Sequence, residues 1–182
     1  SNISASGPWT TFGDNKTLVN GNATSDAYTP GTNGTYYFRA IYSGDGNYAR
    51  STSSNEEKLT VSPAGPTTTT QLSTSTITLG ESVTDNATVT VSGGPAVTGN
   101  ITFQVSYNSA SGPWTTFGAN KTLVSGNATS DAYTPGAAGT YYFRAIYNGD
   151  GNYTSSTSSN EEKLTVNPAS STTTTQLSVS TI

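Results

Sequence analysis

The chain has 182 residues, 31% hydrophobic and 10% charged, with a formal net charge of −4 and no Cys, His or Met. That inventory excludes disulfide staples, thiolate or imidazole metal sites and histidine acid–base chemistry. It has no basic cluster and no apolar run of about 18 residues, so nucleic acid is not an expected partner and nothing in it is expected to span a membrane.

Residues 1–62 read as the back part of a folding unit. Trp9, Tyr28, Arg39 and Lys58 return as Trp114, Tyr133, Arg144 and Lys163, each 105 positions later (114 − 9 = 105). The same shift carries Thr67-Thr68-Thr69-Thr70-Gln71-Leu72-Ser73 onto Thr172-Thr173-Thr174-Thr175-Gln176-Leu177-Ser178, the mark of a tandem array. Residues 63–66 are then a linker, 67–166 a complete unit, 167–171 a second linker and 172–182 the opening strand of another unit. A fragment without its opening strands leaves core and edges in water. The polypeptide is therefore expected to continue in both directions, or to receive strands from another chain.

The joints Val61-Ser62-Pro63-Ala64-Gly65-Pro66 and Val166-Asn167-Pro168-Ala169-Ser170-Ser171 are short and hold a proline or two, which limits their swing. Units strung end to end would each add roughly 35–45 Å, with strands near ten residues at about 3.3 Å per residue.

The complete unit reads as about seven or eight short strands separated by Gly, Pro, Asn and Ser clusters, with no period of 3.6. Thr, Ser, Gly, Asn and β-branched residues disfavour helix throughout, and an all-β sandwich is the expected fold. Val83, Ala87, Val89 and Val91 share one parity, with Thr84, Asn86, Thr88 and Thr90 on the other. Ile101, Phe103, Val105 and Tyr107 form the next stripe, followed by Tyr141, Phe143, Ala145 and Tyr147, and Leu164 with Val166 closes the unit. Trp114 and Phe117 stand three apart, which breaks the period of two and suggests a bulge or a change of sheet. Turns are placed at Ser92-Gly93-Gly94-Pro95, Pro135–Gly139 and Asn148–Asn152. Between the two copies the substitutions fall at turn-like positions such as Asp14/Ala119, Thr32/Ala137, Asn33/Ala138 and Ala49/Thr154, while the stripes do not change.

Thr140-Tyr141-Tyr142-Phe143-Arg144-Ala145-Ile146-Tyr147-Asn148-Gly149-Asp150-Gly151-Asn152-Tyr153, after Thr134-Pro135-Gly136 and before a Ser/Thr run, resembles the prokaryotic (bacterial or archaeal) Ig-like domain repeats of large cell-surface proteins. Thr67–Ser73, Ile77–Val83 and Gly99–Phe103 are similar to the first three strands of that family, so the resemblance covers the whole unit. It implies an Ig-like sandwich and a role in stalks, adhesin shafts, surface layers or fibres. The segment Ser109–Val124, which carries Trp114, departs from the pattern by being longer.

Asn-x-Ser/Thr acceptors occur at Asn2, Asn15, Asn22, Asn33, Asn86, Asn100, Asn120, Asn127 and Asn152, and are candidate N-glycosylation sites in a secretory context. The runs Thr67–Thr70, Ser51–Ser54 and Ser155–Ser159 are weaker candidates for O-glycans, or solvated strand edge. Asp45-Gly46-Asn47 and Asp150-Gly151-Asn152 resemble pieces of a calcium loop but lack its full spacing and closing Glu, so an ordinary turn is the better reading. An isopeptide cross-link is not expected, because Lys163 falls on the wet parity opposite Leu164 and Val166. Glu161 and Glu162 are adjacent and face opposite ways on a strand, so they make no catalytic pair. No enzymatic activity and no cofactor are expected.

Tyr142 and Ile146, with their copies Tyr37 and Ile41, lie opposite the core stripe. They are either an exposed contact patch or are covered by the Trp114 segment. Trp9 and Trp114 would serve a sugar ligand if exposed beside Asn and Asp, and a scaffold if buried. The preferred expectation is an extracellular structural module whose partners are neighbouring copies of the same repeat. The alternatives are an adhesin or carbohydrate-binding module, and subunits joined by strand donation.

Overall fold

The high content of Thr, Val and Tyr makes extended backbone the favoured local state, and Gly, Pro and Asn interrupt it every few residues. A computed structural model describes residues 6–54, 57–158 and 161–178, and among them every regular element is a strand. The front segment contributes β1 (Gly34–Phe38), β2 (Ile41–Tyr42), β3 (Ser51–Thr52) and β4 (Glu57–Val61). Residues 67–167 contribute β5 (Thr67–Leu72), β6 (Thr76–Thr78), β7 (Asp85–Thr90), β8 (Asn100–Tyr107), β9 (Thr115–Thr116), β10 (Lys121–Thr122), β11 (Asn127–Thr129), β12 (Gly139–Tyr147), β13 (Ser156–Thr157) and β14 (Glu162–Asn167).

Two sheets face each other in the second part. One has the order β11-β7-β5; the other runs β10-β8-β12-β14-β6, with β9 on β8 and β13 on β12. All pairings are antiparallel except that of β6 on β14, where Val166 stands beside Ile77. The interior lies between the layers. Ala87 and Val89 from one sheet meet Ile101, Phe103, Ala145 and Tyr147 from the other. Leu72, Val83, Val105, Tyr141, Phe143 and Leu164 fill the opposite end, and Phe117 packs against both groups. Phe117, Tyr133 and Phe143 meet edge to face with centroids 5.1–5.6 Å apart.

The stripes expected at β7, β12 and β14 are buried, as are Ile101, Phe103 and Val105 of β8. Tyr107 is a correction: it is 49% exposed, while Ser106 beside it is buried. β8 reaches the rim of the sandwich there, and the ring instead rests on Tyr141 with centroids 4.8 Å apart. Gly139, at φ +146, makes room for it, because a Cβ there would stand 2.8 Å from the ring. The strands also outnumber the expected seven or eight, because the long Ser109–Val124 segment folds back as β9 and β10 along the free edge of β8.

Candidate functional site

Trp114 sits just before β9, on the outer face of the larger sheet. The Arg144 guanidinium lies 4.2 Å from its ring centroid, and Arg39 stands over Trp9 at the same 4.2 Å. The Arg144 Nε donates to Gln104 Oε1 at 2.8 Å, its cross-strand neighbour on β8, which fixes the guanidinium over the ring. The Gly7–Pro8 and Gly112–Pro113 peptides that precede the two tryptophans are both cis. Trp114, Tyr142 and Ile146 are all half-buried, whereas Ile41 in the front segment is 46% exposed. One face of each indole is therefore occupied by the protein's own cation. Trp114 and Phe117, three apart, serve the outer face and the core respectively.

The loop Asn148–Thr154 is held by one carboxylate. Asp150 Oδ1 accepts the Asn152 and Tyr153 backbone N–H at 2.8 and 2.9 Å, and Oδ2 accepts the Thr98 N–H and hydroxyl at 2.9 and 2.8 Å. Burial raises the pKa of this acid, but the bonds from Thr98, Asn152 and Tyr153 outweigh it and bring it down to about 2. Asp45 makes the same turn to Asn47 and Tyr48, with the Tyr42 hydroxyl at 2.7 Å on its other oxygen. Tyr42 is first, ahead of those two N–H groups, among the causes that lower the Asp45 pKa. In both loops the carboxylate oxygens face N–H and O–H donors, which is the geometry of an Asx turn rather than of cation ligation.

The glycosylation candidates divide by exposure. Asn15, Asn22, Asn86, Asn120 and Asn127 are exposed; Asn33, Asn100 and Asn152 are half-buried; Asn2 lies outside the described residues. Asn86 and Asn127 share the outer face of the smaller sheet, where Thr129 and Thr88 donate to their Oδ1 atoms at 3.0 and 2.9 Å. Asn127 and Asn22 each spend an amide hydrogen on the carbonyl two residues earlier, Ser125 and Asn20, at 3.0 Å. Open grooves of about 380 and 330 Å³ recur beside them, one lined by Lys16, Val19 and Asn22, the other by Lys121, Val124 and Asn127. Each lysine is committed to an aspartate at 2.6 Å, Asp26 or Asp131, whose pKa that bond holds below its ordinary value.

The O-glycan reading of Thr67–Thr70 needs correction at two positions. Thr68 and Thr70 are buried between the sheets, and the Thr68 hydroxyl meets that of Ser156 at 2.6 Å. Alternation explains it, since β5 is half-buried rather than linker. In the Ser155–Ser159 run Ser158 is buried, and Ser159 lies outside the described residues. Lys163 is exposed, Glu161 is exposed, and Glu162 turns inward.

Asp85 was not among the candidates. It begins β7 on the apolar parity of Val83 and Ala87, and it is wholly buried. No hydrogen bond of normal geometry reaches either carboxyl oxygen. Burial first, then repulsion from Glu162, push it up to about 7, and the Gln71 N–H only tempers the rise. Glu162 bridges the layers by accepting the Leu72 N–H, and burial raises its pKa as well. An aspartate on an apolar parity was the available signal.

No protein-family model matches this chain, and no curated protein matches it.

Proposed function

We propose that this chain is a structural module of an extracellular repeat protein, in which Ig-like sandwiches joined head to tail form a cell-surface stalk, fibre or filament. The carrying observation is a duplicated register. Gly34↔Val61 through Phe38↔Glu57 pair in the same way as Gly139↔Val166 through Phe143↔Glu162, each residue 105 positions from its twin. Three twin pairs differ in what covers them: Leu164, Leu123 and Tyr153 are 0%, 8% and 3% exposed, against 40%, 46% and 69% for Leu59, Leu18 and Tyr48, whereas Tyr36 and Tyr141 are both buried. The second set is enclosed by strands that the segment before it supplies, β5 and β7 from the facing sheet and β6 and β8 within the larger one, so one local design serves as bead wherever those strands are supplied.

Shape supports the same reading. Thr69, Gln71, Asn86, Thr88, Asn127 and Thr129 give the smaller sheet a polar outer face that suits hydration or N-linked glycans. The adhesin reading draws on an open aromatic surface, and Arg39 and Arg144 already stack on one of the two faces of Trp9 and Trp114. No catalytic role is proposed for any residue.

Electron microscopy of native material tests the proposal. Linear strings of beads at a spacing of roughly 35–45 Å are expected from strand length, and short compact particles would refute it.

A further inference from the structure

We infer that the linker Ser62–Pro66 is a fixed joint, docked onto the Asn152–Thr154 loop of the unit that follows it, rather than a hinge. Ala64 is the docking residue. Its N–H donates to the Asn152 carbonyl at 3.1 Å, and its own carbonyl accepts the Thr154 N–H at 3.0 Å. Together these make a parallel β-bridge between Ala64 and Tyr153. Both main-chain polar groups of Ala64 are thus spent on the next unit, and Pro63 and Pro66 on either side have fixed φ and no competing N–H. Pro66 is itself buried, immediately ahead of β5. A second contact bypasses the linker altogether: the Asn33 N–H, from the turn before β1, donates to Asn152 Oδ1 at 3.3 Å.

The receiving loop is rigid before anything docks. Asp150 accepts four hydrogen bonds within it and from Thr98. Tyr153 is 3% exposed, and its hydroxyl donates to the Gly93 and Pro95 carbonyls at 3.1 and 2.7 Å. Gly94, at φ +80 to +90 like its neighbour, is required there, since a Cβ would stand 2.7 Å from that hydroxyl. Three anchors on one preorganised platform set a single angle between successive units.

The partner that fits this platform is another copy of the module. The main-chain anchors carry over by 105 positions: Ala64 corresponds to Ala169, Pro63 to Pro168 and Asn152 to Asn47, while Pro66 becomes Ser171. Asn33 becomes Ala138, but the donor is a main-chain N–H and survives the change; Thr154 becomes Ala49 and keeps its N–H. Repetition of one angle gives a fibre of constant twist. That extension rests on the head-to-tail reading, while the joint within this chain does not.

The chain has no cysteine, so Val19→Cys with Val124→Cys, at twin positions 68% and 73% exposed, places two unique spin labels, one on each side of the joint. Pulsed EPR is expected to give one narrow distance peak, broadened by Ala64→Pro, which removes the docking N–H, and by Asn152→Ala, which leaves the Asp150 turn intact. Amide exchange is an independent check: Ala64, Asn33 and Thr154 are expected to exchange at least tenfold more slowly than Ala49, the twin of Thr154 with no linker docked on it among the described residues. A broad peak in the parent, no broadening in either variant, or Thr154 exchanging as fast as Ala49 would overturn the joint. A broad peak alongside native fibres removes the joint and keeps the stalk; a narrow peak without fibres does the reverse.

Discussion

Asp85 and Glu162 bring two carboxyl groups into one buried corner between the facing sheets, Asp85 without a well-formed hydrogen bond and Glu162 on the Leu72 N–H. An acid whose folded pKa lies near 7, against 3.8 unfolded, binds its proton more tightly in the folded state. Its stabilising contribution is full below pH 3.8 and is lost as pH rises towards 7. The upper bound is about 4 kcal/mol, from roughly three pH units at about 1.4 kcal/mol each.

Asp85→Asn therefore is expected to stabilise the second unit at pH 8 by about 1–3 kcal/mol, part of the gain being lost to the buried amide. At pH 4 it should change little. Denaturant titration followed by Trp114 fluorescence in a Trp9→Phe background, between pH 4 and 8, checks the sign; a variant less stable than the parent at pH 8 would contradict it.

Leu59 and Leu164 are the same residue in the same register, 40% and 0% exposed. Leu164→Ala is expected to cost about 2–5 kcal/mol, since it opens a cavity in a closed interior. Leu59→Ala should cost well under half of that in this chain. Equal losses measured by denaturation would mean that the front segment packs a core of its own.

Asp150→Ala removes the acceptor of four hydrogen bonds at the loop that meets the linker. A loss of about 2–3 kcal/mol is expected from bonds worth about 1 kcal/mol each, discounted for exposure. The folded pKa of Asp150 is depressed to about 2, so its contribution is present above pH 3.8 and falls away as pH drops towards 2. Chelator or added calcium should leave the melting temperature of the parent unchanged. A calcium-dependent shift abolished by Asp150→Ala would contradict the turn assignment.

Arg144→Ala uncovers the Trp114 ring and removes the donor to Gln104 Oε1. It should cost about 0.5–1 kcal/mol, with Arg144→Lys recovering part of it. Red-shifted, more quenchable Trp114 emission is the spectroscopic check; unchanged emission would mean that the stack does not persist in solution.

Alternation made most of the interior legible. Val83, Ala87 and Val89, or Phe143 and Ala145, can be read as buried because an antiparallel strand with one wet face has a period of two. The same rule failed where a strand outran the sandwich, at Tyr107, and where hydroxyls served as core, at Thr68 and Thr70. It also passed over Asp85, since a charged residue on an apolar parity reads as an interruption of the stripe. The Trp114 segment was visible as an anomaly of spacing, but its fold as β9 and β10 depends on the free edge of β8, which no local pattern encodes. The docking of Ala64 was illegible for a related reason: it uses only main-chain groups, and these leave no mark in side-chain composition.

Small-angle X-ray scattering of arrays holding one, two and three complete 105-residue units tests the head-to-tail account most directly. The maximum dimension is predicted to grow linearly, by roughly 35–45 Å for each added unit. Growth that flattens as units are added, as for copies collapsing into one globule, would contradict it.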